Sequence, residues 1–130
     1  MLARVPAVLC IVCCLMCGCV IGGKPRQWTD KTAEKQSLRS AIPPGSSIQQ
    51  ATSVMQSRGY TVELVRDGEF KEGGRSIGDA VTAHVLHTDY LLCTKWNRLD
   101  LFVSEMLDVA IVLENRLTAE ILVNSFGDGP

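Results

Sequence analysis

The chain lacks most of what would announce an activity. Beyond residue 19 it carries one cysteine, Cys93, so no disulfide framework can form within the chain, and a cysteine-stapled scaffold is excluded. It also lacks a basic cluster of the kind nucleic acid demands. Ser40 to Pro130 holds seven basic and twelve acidic residues, and only Lys24 to Arg39 leans the other way, with five basic and two acidic. The glycine-rich Gly73-Gly74-Arg75-Ser76-Ile77-Gly78 has no lysine followed by Ser or Thr, so it is no P-loop. At 130 residues there is room for one modest core and no second domain.

What the chain does have is an address. Arg4 is followed by an uncharged apolar run from Val5 to Met16, the core of a secretory signal. Five of the six cysteines (Cys10, Cys13, Cys14, Cys17, Cys19) fall in this stretch, where they serve as apolar filler rather than as redox or zinc pairs. The run ends in Met16-Cys17-Gly18-Cys19, and a small residue before a cysteine at this place resembles the lipobox of bacterial lipoproteins. That resemblance implies diacylglycerol on Cys19, cleavage after Gly18 and acylation of the new amino terminus. Val20 rather than Asp after the cysteine implies the outer membrane, where the source has one. An uncleaved segment kept as a plain membrane anchor is the alternative, although about 20 apolar residues are needed to span a bilayer.

The division that follows is 1–18 signal peptide, 19–42 lipidated cysteine and flexible basic tether, and 43–130 domain. Trp28 stands alone among the polar residues of the tether, suited to a membrane interface or simply exposed. The domain is expected to be α+β, with one N-terminal helix packed on an antiparallel sheet of about four strands that ends in a β-hairpin. Pro43-Pro44-Gly45-Ser46-Ser47 stops earlier structure and supplies a serine cap, Gln49 or Gln50 completes a capping box, and Ile48, Ala51, Val54 and Met55 recur at helical spacing before Gly59. Tyr60 to Arg66 alternates as a strand. Asp67 to Asp79, with four glycines and many charges, is expected as a mobile loop.

Ala80 to Leu86 and Tyr90 to Trp96 are expected as two strands joined by a turn at His87-Thr88-Asp89, while 97–106 is compatible with helix or strand. Leu107 to Glu114 and Leu117 to Asn124 flank Asn115-Arg116, a two-residue hairpin connection. Val109 to Leu113, apolar throughout, implies a central strand covered on both faces. In the last strand Leu117, Ala119, Ile121 and Val123 should face the core and Thr118, Glu120 and Asn124 the solvent. Helix, meander and terminal hairpin on a lipobox tether resemble the SmpA/OmlA (BamE-like) class of small envelope lipoproteins. The resemblance rests on Gly45-Ser46 before the helix and on Leu107 to Val123, and it implies an accessory role in outer-membrane assembly.

No catalytic residue or cofactor is expected. His84, His87 and Asp89 supply three potential zinc ligands, but on a strand residues three apart face opposite ways. Cys93, between Leu92 and Thr94, reads as a small core side chain, and Glu105, Asp108, Glu114 and Glu120 as a solvated surface. The expectation is a non-enzymatic lipoprotein of the bacterial cell envelope, tethered to the membrane, with an envelope protein as partner and no nucleic acid. The rivals are a small hydrolase or metal-binding protein using His84, His87 and Asp89, and a lipoprotein whose domain binds a small ligand.

Overall fold

The computed structural model describes residues 28–74, 78 and 80–128. The address, Cys19 and the tether up to Gln27 lie outside the described residues, as do Arg75 to Ile77 and Asp79. Two helices, α1 (Lys31–Ala41) and α2 (Ile48–Ser57), precede four strands, β1 (Thr61–Gly73), β2 (Val81–Asp100), β3 (Val103–Glu114) and β4 (Leu117–Asp128), which form one antiparallel sheet in sequence order. The α+β class stands, with two helices where the sequence reading had one.

The additional helix lies in the supposed tether. Asp30 caps α1, its carboxylate accepting from the amides of Thr32 and Ala33. Leu38 and Ile42, four apart, are then driven into the core. The stretch reads as spacer because one apolar side chain per turn suffices where a sheet supplies the rest of the surface. The folded domain therefore reaches back to Thr29, whose amide and hydroxyl both donate to the Glu105 carboxylate (3.0 and 2.8 Å). Helix α2 follows its sequence signals. Ser47 and Gln50 form the capping box, and Gly59 closes the helix at φ +88°, a conformation that favours glycine.

Both faces of the central part of the sheet are covered, each by a different device. On one face Leu38, Ile42, Ala51 and Met55 of the helical layer pack on Leu91, Cys93, Leu107, Val109, Ile111, Ile121 and Val123. The other face is covered by the hairpin of the sheet itself. Phe70, with Val65, Ala83 and Val85 beside it, packs on Tyr90, Ala110, Val112 and Leu122. Alternate residues of Val109 to Val112 thus enter two cores, as the unbroken apolar run of a central strand requires.

The fold-back corrects two expectations. Asp67 to Gly73 is strand, not loop, and His87-Thr88-Asp89 lies inside the 20-residue β2 instead of turning the chain. The register slips between Val65 and Gly68 and again between Gly68 and Phe70, with Asp67 and His87 at φ +50° and +49°. Bulges of this kind bend a strand and increase its twist, so polar residues that resemble a turn instead kink a continuous hairpin. The open segment 97–106 is resolved as the end of β2, a turn at Leu101-Phe102 and the start of β3. The final hairpin is as expected, with Asn115 and Arg116 at φ +53° and +65°. Beyond it Ile121 and Val123 lie in the core and Glu120 is exposed, as expected, but a register shift at Val112/Leu113 leaves Leu117 exposed and Thr118 buried, and the fold-back of β1 buries Asn124 on the second face.

Candidate functional site

Along the outer edge of β4, where no fifth strand pairs among the described residues, the chain uses its own side chains and loop backbone. At one end Gly45 donates its amide to Thr118 O (2.7 Å), and the Thr118 amide donates to Ser46 O (2.9 Å). At the other end the kinked hairpin reaches across, and Glu72 of β1 accepts the Val123 amide (2.7 Å). Glu72 also accepts both oxygens' worth of hydrogen bonds from Lys35 of α1 (2.9 Å each) and one from the Thr82 hydroxyl (2.7 Å). Asn124 completes the seam, its side chain accepting from the Gly73 amide (2.8 Å) and donating to Lys71 O. Burial pushes the Glu72 carboxyl up, but the hydrogen bonds from Thr82, Lys35 and Val123, with the Lys35 charge, outweigh it and hold it below its ordinary value.

Between these two fastenings α1 and β4 leave a cleft of about 260 Å³, lined by Arg39, Ile42, Pro44 and residues 118–121. A second cleft of about 350 Å³ adjoins it through Arg39 and runs past Lys31, Lys35 and Glu72 to Val123. Lys31, Lys35 and Arg39 follow at intervals of four along α1, so one helix face lines the cleft with cations. The floor is apolar and β4 supplies the wall. Such a trough suits an extended chain with an apolar side chain for Ile42 and Ile121 and a charged group for Arg39.

The residues singled out from the sequence are not brought together. His84 Nε2 lies 2.6 Å from Glu69, His87 Nδ1 lies 3.0 Å from Asp67, and Asp89 accepts the Asp67 amide (2.9 Å). All three are exposed strand residues, His87 and Asp89 sharing Asp67 while His84 pairs separately with Glu69, and among the described residues no group of three or more His, Cys, Asp and Glu stands ready for a metal ion. Asp89 instead borders a cleft of about 460 Å³ with Arg66 and Arg116 at the β3–β4 end of the sheet. Cys93 is fully buried in the core, and burial pushes its thiol up to about 12, far from a reactive thiolate.

Glu105 departs from the expected solvated surface: it is fully buried and takes hydrogen bonds from Thr29 and from the Ser125 hydroxyl (2.8 Å). Sequence reasoning missed it, with Glu72, Lys35 and Asn124, because their partners lie 10 to 76 residues away. A signal for α1 was present in Asp30 followed by Leu38, Ala41 and Ile42 at helical spacing. Compared with protein-family models, with curated proteins and with solved structures, the chain gives no match.

Proposed function

We propose that this protein is a lipoprotein of the bacterial cell envelope, lipidated at Cys19, whose α+β domain serves as a non-enzymatic binding or assembly module for another envelope protein. The observation that carries the binding half is the trough between α1 and β4. An edge strand recruits an extended partner segment through its main chain, and flanking side chains select it. Here the free stretch lies between Thr118 and Val123, so the partner contributes a short segment of about four residues, roughly 13 Å long. Its apolar residue enters between Ile42 and Ile121, with Arg39 and Glu120 at the rim setting the charge register. The lipid half rests on Gly18-Cys19 after the apolar run, and the outer membrane is the favoured location where the source has one.

Two measurements test the two halves separately. The intact mass of the protein from its native membrane fraction, set against Cys19→Ala, should give a species that begins at Cys19 and carries acyl chains; an unmodified full-length mass refutes lipidation. A photo-crosslinking residue at Glu120 should trap a discrete envelope protein, and Arg39→Glu should abolish the adduct. A Glu120 probe that yields no adduct in membranes refutes the trough as the binding site.

A further inference from the structure

The largest exposed apolar side chains of the described residues gather at one end of the sheet. Leu101 and Phe102 form the β2–β3 turn and are 69% and 76% exposed, and Trp96, on the uncovered part of the second face, is 63% exposed. Trp96 pairs across β3 with Met106, which pairs with Phe126, so the apolar row extends from the turn across three strands. The chain enters the domain at the same end. The Trp28 ring lies over Gly127, where any Cβ would overlap it, and Gly127 pairs with Glu105, two residues from the start of β3. Trp28 thus stands on the helical face and Trp96 on the opposite face, with Leu101 and Phe102 between them at the tip.

We infer that this end of the sheet is a membrane-contacting surface, with Trp96, Leu101 and Phe102 seated in the headgroup layer of the bilayer that holds the N-terminus. The inference rests on the membrane-anchored reading, whether through lipid on Cys19 or through an uncleaved apolar segment. The length of chain outside the described residues points to this occupant. Because Thr29 is fastened to Glu105, only eight residues lie between Cys19 and Trp28, about 30 Å at full extension. A spacer running to Ile42 would let the domain stand far from the membrane, whereas this one limits the Trp28 end to within about 30 Å of the anchor.

The chemistry of the tip matches that position. Exposed patches of large apolar residues mark interaction surfaces, and tryptophan favours the membrane–water interface. The Leu101 backbone is already satisfied, its amide donating to Asp100 (2.6 Å) and its carbonyl accepting from Arg98 (3.2 Å). That lowers the cost of removing it from water. The Asp100 charge limits the depth to the headgroup region, where Arg98 meets lipid phosphate.

The test uses the full chain reconstituted in phosphatidylethanolamine and phosphatidylglycerol vesicles, with and without brominated acyl chains. Trp28→Phe leaves Trp96 as the only tryptophan. Flotation with the vesicles reports anchoring, and bromine quenching reports the tip. The expected result is flotation with loss of most Trp96 emission, and recovery of that emission in Leu101→Asp/Phe102→Asp while flotation persists. Both positions are exposed, so the double variant retains the fold. A floating protein whose Trp96 emission is indifferent to bromine overturns the inference and leaves the tether intact. A full chain that does not float overturns the anchored reading and the inference with it.

Discussion

Glu72 shows how one side chain joins three elements. It lies at the end of the kinked hairpin, takes Lys35 from α1 and the Val123 amide from β4, and is almost fully buried. Its carboxyl is held below the ordinary value of 4.5, so the folded state binds its proton less readily than the unfolded state. The stability it adds is therefore present above the unfolded value and is lost as pH falls through the folded one. Urea midpoints of the wild type should fall with pH below about 4.5, and Glu72→Gln should flatten that part of the profile. At neutral pH the same variant should cost about 2 kcal/mol, the range for hydrogen bonds to a charged group. Leu38 offers a second residue-scale test, because a tether residue would tolerate truncation. Leu38→Ala should lower the unfolding free energy by about 2–5 kcal/mol, as expected for a fully buried leucine.

At the scale of elements, turns and bulges share one backbone conformation and differ in consequence. Asn115 and Arg116 hold positive φ and reverse the chain, and Asn tolerates this better than Arg. Arg116→Gly should raise stability by about 1 kcal/mol, seen as a higher urea midpoint with an unchanged slope. Asp67 and His87 hold similar φ, yet the chain continues past them because their strands go on pairing beyond the slips. The His87 to Asp67 contact lies at this kink and His84 pairs with Glu69, which explains both histidines without a metal. Purified protein should hold no stoichiometric zinc, and His84→Ala/His87→Ala should leave metal content unchanged by elemental analysis.

For the whole molecule, the proposed anchoring at Cys19 makes the point at which the fold begins the decisive quantity. With α1 folded and Thr29 fastened, the domain carries its trough along the α1–β4 side and its apolar tip at the entry end. Weakening the fastening should loosen that arrangement. Thr29→Val removes the hydroxyl donor to buried Glu105 and should cost about 1–3 kcal/mol in urea unfolding.

Local chemistry was legible in the sequence wherever neighbours along the chain carried it. The Ser47/Gln50 capping box, the Gly59 stop, the Asn115-Arg116 hairpin and the two-sided strand at Val109 all rest on residues a few positions apart. The lipidation proposed at Cys19 rests on the sequence alone. Tertiary structure decided what depends on distant partners. Leu38 is core only because β4 and β3 lie beneath α1, and Glu105 is buried only because Thr29 and Ser125 supply its donors. The trough and the apolar tip belong to the same class. Periodicity reports which face of an element is apolar, but the fold-back of β1 and β2 determines which apolar faces are covered and which are left exposed.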